Sequence, residues 1–424
     1  MLKRFLFGKA ENASKRAYFW NMVSSIVFSI QSALFLLVVT RAGGAEDAGR
    51  FMIYFTVAQT LSSIGGYSIR EFQVSDLREE YPFAAYYTTR WVTGITMLAI
   101  AAGYGILKGL NGAEFAAFGG LVGYRFVENI EDVYHGHAQR KGRFDVTSLC
   151  MSLRMILSSA AFCGCYILTK NLALSTGVMA ITSLIAWAVM IRPLKEAFPE
   201  MRPGRKFSAV PKMLIACFPI FAGMFLYSYL INAPRYAIDD WMSKEAQTIY
   251  GVLFMPVFVV NLLSAFIYRP QLVSLSGLWD RRDIAGFRKA AIRQLAIIAG
   301  LTGAMVAGGL IIGLRLLEII YGVALEEYRT TFGLLLAFGG FTAAAFYLNT
   351  LLTIMRKQHF ILIGYGSAFL IHLMTTAALV RAQGIAGAGL AYGVIMGFLF
   401  LFDAVTVTIL LRKAGESARK EAQP

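Results

Sequence analysis

Charged residues are scarce in this sequence. They account for 15% of its 424 residues, against 57% hydrophobic residues, and the mean hydropathy is +0.59. A water-soluble domain of this length could not bury that much apolar side-chain surface. The composition therefore excludes an ordinary soluble protein and indicates a chain that lies largely within a lipid bilayer.

Motifs that bind nucleotides or metals are missing as well. The sequence contains no Walker motif, GxSxG or HExxH, and no zinc-type spacing of cysteine and histidine. Its cysteines are Cys150, Cys163, Cys165 and Cys217. The second and third are two residues apart and would point in nearly opposite directions on a helix. We therefore expect packing cysteines, no metal site, no cofactor and no ATP-driven transport.

Long apolar runs fill most of the chain. A helix of about 20 residues crosses about 30 Å of hydrocarbon, and helices satisfy their own backbone hydrogen bonds there. Twelve runs meet this requirement, near residues 18–40, 51–69, 84–107, 113–137, 146–168, 171–193, 212–233, 247–268, 290–314, 329–353, 360–380 and 386–411. The sequence thus predicts an all-α polytopic membrane protein with twelve transmembrane helices.

Lysine and arginine concentrate in every second connection. These connections lie at residues 3–16, 140–143, 195–212, 281–293, 356–357 and 412–420. Since short basic loops stay in the cytoplasm, we predict a multi-pass protein of the cell inner (cytoplasmic) membrane with both termini cytoplasmic. The net charge of +15 then reflects topology and contact with anionic membrane lipids, and we expect no nucleic acid partner.

The two halves of the chain share a faint repeat. When Glu46 is superposed on Glu245, Phe51 falls on Tyr250 and Arg70 falls on Arg269. These coincidences predict two parallel six-helix lobes around a central cavity. The predicted organisation is a basic interfacial segment (1–17), an N-lobe with spans one to six (18–193), a cytoplasmic linker (194–211), a C-lobe with spans seven to twelve (212–411) and a cytoplasmic tail (412–424).

Several segments resemble a known family. "YFWNMVSSIVFSI", "VTRAGGAEDAGRFMIYF", "GGYSIREFQVSD" and "FPIFAGMFLYSYLINAPRYAID" are similar to segments of bacterial polysaccharide flippases of the O-antigen, capsule or teichoic-acid type. Those belong to the multidrug/oligosaccharidyl-lipid/polysaccharide exporter superfamily. The resemblance implies a transporter rather than an enzyme, which moves undecaprenyl-diphosphate-linked oligosaccharide by alternating access to a cationic cavity. It also implies that the protein is a monomer.

Arginines within or beside the spans are the candidates for binding the diphosphate. Arginine binds phosphate through a planar fork and keeps its proton, and charge inside a membrane is costly. The candidates are Arg154, Arg90, Arg70, Arg235, Arg269 and Arg41. Two alternatives stay open: Arg70 and Arg269 could snorkel to headgroups, and Arg154 could form a salt bridge with acids of the fourth span.

The fourth span carries a polar stripe. Arg125, Glu128, Asp132 and His135 recur at helical spacing, with Glu131 beside them. The stripe is either a solvated face or a titratable site for a coupling proton or sodium ion. For the second interpretation we assign Glu128 and Asp132, together with Asp239 after the seventh span, to ion coupling.

Two other functions compete with the flippase. A cation-coupled multidrug or lipid exporter of the same superfamily would share the fold, but we would expect acidic and aromatic residues rather than arginines in its cavity. A membrane glycosyltransferase, ligase or polymerase would need a large outer loop, and the predicted outer loops are short. Flippase activity is therefore the leading prediction, and enzymatic activity ranks last.

Overall fold

The computed structural model describes residue 7 and residues 13–76, 78–268 and 271–421, and nearly all of these residues are helical. The predicted segment 1–17 lies mostly outside this range. The helices are α1 (Ala13–Gly43), α2 (Ala45–Gly66), α3 (Ile69–Ser75), α4 (Phe83–Leu107), α5 (Gly112–Arg140), α6 (Phe144–Thr169), α7 (Leu172–Ala197), α8 (Val210–Trp241), α9 (Lys244–Phe254), α10 (Val257–Tyr268), α11 (Leu272–Asp280), α12 (Ile284–Gly308), α13 (Leu314–Tyr321), α14 (Arg329–Ile354) and α15 (His359–Glu421).

The prediction of twelve transmembrane helices in two lobes is confirmed. Within the described ranges, nine helical stretches are long and apolar enough to cross a membrane. The longest of them, α15, bends at Gly384 and so supplies two spans. The long helices α2 and α5 complete the set, although their charged and polar residues make them less hydrophobic. Large apolar side chains such as Ile215 and Met374 are exposed, as expected for surface that contacts lipid.

The chain divides into two compact units, Met1–Phe225 and Leu226–Pro424. In the first unit, the helices α4 to α7 enclose a core that includes Tyr86, Tyr134 and Leu149. In the second unit, the core is built from α10, α12, α14 and α15 and includes Tyr347 and Leu351. Each unit buries its own apolar side chains.

The predicted linker 194–211 packs against the first unit. Thr88 of α4 donates a hydrogen bond from its hydroxyl to the carbonyl oxygen of Gly204, at 2.8 Å. The same hydroxyl accepts a bond from the backbone nitrogen of Lys206, at 2.9 Å. A side chain at Gly204 would lie 2.9 Å from the Cβ of Ala84, so the linker can approach α4 this closely only with glycine there. The linker then continues into α8, and the boundary between the two units falls inside that helix.

The start of the internal repeat is visible in the helices. The helices α2 and α9 begin at Ala45 and Lys244, which correspond at the offset that places Glu46 on Glu245. Each lobe also has a short helix after its second span, α3 in the first lobe and α11 in the second. The two lobes thus repeat the same order of long and short helices in this region.

One expectation about the seventh span is wrong. The sequence analysis placed this span at residues 212–233, so that it ended just before Pro234 and Arg235, because proline removes a backbone donor and disrupts helices. In the structure α8 continues through both residues to Trp241. Helices in membranes tolerate proline, since neighbouring groups satisfy the carbonyl that loses its donor. Arg235 therefore lies within a helix rather than at its end.

Gly384 separates the two arms of α15, residues 359–383 and 385–421. Its backbone has φ 58° and ψ −131°, a conformation that residues with a Cβ rarely adopt. A Cβ at this position would also lie 3.2 Å from the Cε of Met242. The bend between the two spans therefore depends on glycine at this position.

We expect Gly384→Ala to lower the free energy of unfolding by about 1–3 kcal/mol, because the alanine would be held in a strained conformation. Gly366→Ala on the same helix is the matched control, since a Cβ there meets no atom within 4 Å. Thermal unfolding of the purified variants in detergent measures the difference. Equal midpoints for the two variants would contradict the assigned strain.

Candidate functional site

The charged residues of the fourth span lie on α5, which begins with a capping box. The side chain of Asn111 accepts a hydrogen bond from the backbone nitrogen of Glu114, at 3.0 Å. The side chain of Glu114 accepts one from the backbone nitrogen of Asn111, at 3.1 Å. These bonds satisfy two backbone donors that the first turn leaves without partners, and they define where the helix starts.

The polar stripe of α5 meets arginines from three other helices. We define the α5 charge cluster as Arg70, Arg90, Arg125, Glu128, Glu131, Asp132, His135 and Arg154. Arg125, Glu131 and His135 are each only 2% exposed. The stripe is therefore packed against protein and is not a solvated face over most of its length.

Arg154 lies at the centre of one half of the cluster. Its Nε donates to Oε2 of Glu131 at 2.5 Å, and its Nη2 lies 3.3 Å from Oε1 of Glu128. Its Nη1 donates to the hydroxyl of Ser183 on α7, at 3.0 Å. Its guanidinium also lies 5.1 Å from the ring centre of Tyr124. Arg154 is 0% exposed, so in this conformation it ties α5, α6 and α7 together and presents no open face to a phosphate.

Glu128 is shared between two arginines. Nη1 of Arg125 lies 2.6 Å from Oε2 of Glu128, while Arg154 lies beside the other carboxylate oxygen. The guanidinium of Arg125 also lies 5.0 Å from the ring centre of Phe55. Further along α5, Nε2 of His135 is 3.4 Å from Oε1 of Glu131. Every carboxylate in this half of the cluster thus has a cationic partner.

Asp132 is the centre of the other half. Nη1 of Arg70 lies 2.6 Å from its Oδ1, and Nη2 of Arg90 lies 2.9 Å from its Oδ2. Arg90 also donates to the carbonyl oxygens of Gly65 and Gly66 at the end of α2. Two guanidinium groups therefore share one carboxylate.

This second half is accessible, in contrast to the first. The side chains of Arg70 and Asp132 are 20% and 23% exposed, whereas that of Arg90 is 1% exposed. Nη2 of Arg70 donates to Oε1 of Gln139 at 2.9 Å. Within the cluster as defined, arginines outnumber carboxylates by four to three. The two arginines that share Asp132 lie at the accessible end, where Arg90 also interacts with the charge of Glu71.

The other residues predicted to bind substrate or ions are placed elsewhere. Arg41 is exposed in the last turn of α1. Arg235 is 7% exposed within α8, with its guanidinium 5.2 Å from the ring centre of Phe254. Asp239 forms a salt bridge with Lys244. Arg269 lies outside the described residues. The structure therefore brings together Arg154, Arg90, Arg70, Glu128 and Asp132 from the predicted set.

Two features were not assigned from the sequence. Glu131 is the nearest carboxylate to Arg154, although spacing along α5 placed it only beside the stripe. Asp403, on the second arm of α15, is buried at 1% exposure. Its signal in the sequence is an aspartate inside the apolar run "FLFLFDAVTVTIL", since ionisable residues within spans are candidates for function.

A second group of ion pairs surrounds the loop between α3 and α4. Asp76 accepts hydrogen bonds from the hydroxyl of Tyr86 at 2.7 Å and from the backbone nitrogen of Glu80 at 2.9 Å. Its Oδ2 lies 3.6 Å from Nη1 of Arg140. Partial burial acts to raise the pKa of Asp76, but these hydrogen bonds and the charge of Arg140 lower it overall. The ionised aspartate therefore anchors this loop to the end of α5.

Comparisons with known proteins identify the fold. No family model matches the chain. The capsular polysaccharide biosynthesis protein CapF of Staphylococcus aureus is 21% identical over 325 residues, 75% of this chain and 81% of that protein. An inward-facing multidrug resistance MATE family transporter of the MOP superfamily aligns with TM-score 0.63 and 14% identity, over 93% of this chain and 99% of that one.

The lipid II flippase MurJ in an inward closed conformation aligns with TM-score 0.71 and 11% identity. The alignment covers 94% of this chain and 88% of that one. At these identities the likeness establishes the architecture. The chain shares the fold of these two transporters, in agreement with the fold that the resemblance in the sequence implied.

We expect Arg154→Met to destabilise the protein by about 3–5 kcal/mol, because Glu131 would be left as a buried charge without its guanidinium partner. Adding Glu131→Gln should restore much of the stability, since both members of the pair are then neutral. Thermal unfolding in detergent measures both variants.

Arg50→Gln is the control for this pair of variants, because the side chain of Arg50 is 37% exposed where it forms salt bridges with Glu46, Asp47 and Glu114. Its expected effect is at most about 1 kcal/mol. If the double variant were no more stable than Arg154→Met, the buried pair would not be the source of the destabilisation.

Proposed function

From the fold that this chain shares with MOP superfamily transporters, we propose that the protein is a flippase for undecaprenyl-diphosphate-linked oligosaccharide repeat units. It moves them from the cytoplasmic to the outer leaflet by alternating access and so serves the synthesis of cell-surface polysaccharide. Two comparisons support the proposal: one structural neighbour is a lipid II flippase, and the sequence relative is a capsular polysaccharide biosynthesis protein.

The observation that carries the proposal is the shared carboxylate Asp132. Its two oxygens are bound by different arginines, Arg70 and Arg90, at the accessible end of the cluster. A diphosphate brings negative charge and several acceptor oxygens, and arginine binds such groups in a bidentate manner. A phosphate that reaches Arg70 would add acceptor oxygens for this pair of arginines, which share the single carboxylate of Asp132.

Exposure ranks the arginines within this mechanism. Arg70 is 20% exposed and is the first contact for the diphosphate, while Arg90 lies behind it with 1% exposure. Arg154 is fully buried and acts as a positioning residue, because it holds Glu128 and Glu131 in place. Asp132 keeps the two arginines together between transport events and competes with the phosphate, which favours release. Transport is coupled to a proton or a sodium ion, and the protein works as a monomer.

A cation-coupled exporter of drugs or lipids is the second candidate, because a MATE multidrug resistance transporter shares the fold. The charge of the cluster separates the two functions. An excess of arginine attracts an anionic diphosphate and repels a cationic drug. Ethidium export from intact cells tests this alternative. If wild-type protein exports ethidium and substitutions at Arg70 or Asp132 abolish the export, the drug exporter is favoured over the flippase.

The basic connections support an orientation with both termini in the cytoplasm. In a variant without the native cysteines, Ser243→Cys, between α8 and α9, should react with a membrane-impermeant thiol reagent in intact cells. Arg205→Cys, in the linker, should react only after the membrane is permeabilised. If Arg205→Cys were labelled in intact cells and Ser243→Cys were not, the orientation would be the opposite of the one proposed.

We expect Arg70→Gln to reduce flipping by about tenfold or more, since a charged hydrogen bond contributes about 1.5–3 kcal/mol. Arg70→Lys should give a smaller loss, because it keeps the charge but not the fork. The assay measures lipid-linked oligosaccharide that accumulates in the cytoplasmic leaflet of cells with matched amounts of each variant.

Arg50→Gln is the control for this assay, because it removes an arginine that pairs with Glu46 outside the α5 charge cluster. It should leave flipping unchanged. Normal flipping by Arg70→Gln at a normal protein level would refute the proposed role of Arg70.

A further inference from the structure

The second unit contains a carboxylate whose surroundings differ from those of the α5 charge cluster. Asp403 lies on the second arm of α15 and is 1% exposed. Its Oδ2 is buried and has no hydrogen-bond partner within the part of the chain that the structure describes. Its neighbours along the helix, such as Phe402 and Ala404, are apolar. The described residues thus provide no cation to compensate a charge on Asp403.

The carboxylate lies where the two arms of α15 approach each other. A Cβ built on Gly364 of the first arm would lie 3.8 Å from Oδ1 of Asp403 and 3.0 Å from Cδ1 of Phe402. The absence of a side chain at Gly364 therefore allows the second arm to pack closely at this point. Any group that enters beside Asp403 has to change this packing.

A small group of polar side chains lies next to this crossing. Tyr365, which follows Gly364, interacts electrostatically with Asp403. Its hydroxyl accepts a hydrogen bond from Nδ2 of Asn349 on α14, at 3.0 Å. Oδ1 of Asn349 is itself buried without a hydrogen-bond partner in the described residues. Oδ1 of Asn349 and Oδ2 of Asp403 are thus both buried acceptors without a hydrogen-bond donor in the described residues.

The titratable groups around Asp403 are mainly phenols. Tyr365 comes from the first arm of α15, and Tyr227 of α8 packs on it with ring centres 5.9 Å apart. On α14, Tyr347 interacts with the charge of Arg293 from α12. Arg293 donates to Oε1 of Gln271 at 3.3 Å. The electrostatic partner of Asp403 is thus a phenol, Tyr365, whereas Arg293 bonds to Gln271 and not to Asp403.

An ionised carboxylate in such a place is costly. Burial without a cation or hydrogen-bond donors favours the protonated form, which carries no charge and can itself donate a hydrogen bond. Resting on the flippase function proposed above, we propose that Asp403 is the binding site of the coupling proton. The proton binds Asp403 when the second unit is closed around it and leaves when the arms of α15 separate and admit water.

The carboxylates first assigned to ion coupling are less suited to this role. Glu128 is held by Arg125 and Arg154, Asp132 by two arginines, and Asp239 by Lys244. A proton that bound to any of them would have to break a salt bridge. Asp403 has no such partner among the described residues, so protonation there needs no displacement of a cation.

Infrared spectroscopy tests proton occupancy without any transport. Purified protein in detergent at neutral pH should show the carbonyl stretching band of a protonated, buried carboxyl group. We expect Asp403→Asn to remove this band and Asp403→Glu to retain it. Asp280→Asn, which changes an exposed aspartate at the end of α11, is the control and should leave the band intact. The proposal is overturned if wild-type protein shows no such band, or if the band persists in Asp403→Asn.

Transport tests whether this proton is the coupling ion. In cells, a protonophore should reduce flipping of lipid-linked oligosaccharide by wild-type protein. Asp403→Asn should flip lipid-linked oligosaccharide about tenfold or more slowly than wild-type protein, a change within the usual range of coupling between two binding sites. It should also no longer respond to the protonophore. Asp403→Glu should recover part of the flipping rate and part of the response to the protonophore. Loss of folding could not explain this partial recovery.

The possible outcomes distinguish this proposal from the proposed function. If wild-type protein moves the oligosaccharide and Asp403→Asn moves it equally well with the same response to the protonophore, Asp403 is not the coupling site and the proposal is overturned. If the infrared band behaves as expected but wild-type protein moves no lipid-linked oligosaccharide, the proton site stands and the flippase assignment fails.

Discussion

Charge within a membrane must be compensated, and this requirement organises the first unit of the protein. Arg154 is completely buried and is compensated by Glu131 and Glu128 of α5. Its further bond to Ser183 brings α7 into the same contact. Because removal of either partner would leave an unpaired buried charge, the three helices are held in one arrangement. The more exposed half of the cluster, around Asp132, depends on this arrangement for the position of its own helix.

The two units differ in how their buried charged groups are compensated. In the first unit, four arginines of the α5 charge cluster pair with three carboxylates, and Arg70 lies at the accessible end. In the second unit, Asp403 lacks a cation among the described residues, so the protonated form is favoured. The two proposals place anion binding and proton binding in separate halves of the chain. Such a separation would let substrate and proton act on one conformational change without competing for one site.

Much of the fold followed from the sequence, whereas the contacts of the site did not. The hydrophobic runs predicted the helices, because the bilayer leaves few alternatives for a chain of this composition. Spacing along α5 identified the shared face of Glu128 and Asp132. Spacing along one helix does not show which residue of another helix lies opposite, so the pairing of Arg154 with Glu131 emerged only from the packing of α5 against α6. The expected end of the seventh span at Pro234 failed because helices in membranes tolerate proline.

The central claim is that Arg70 and Arg90 share Asp132 so that they can receive a diphosphate. Binding of undecaprenyl diphosphate to the purified protein, measured by native mass spectrometry, tests this claim most directly. The account predicts that wild-type protein binds it and that Arg70→Gln weakens binding by about tenfold or more, as the loss of a charged hydrogen bond should. If Arg70→Gln bound undecaprenyl diphosphate as tightly as wild-type protein and the Arg50→Gln control did, the account would be contradicted.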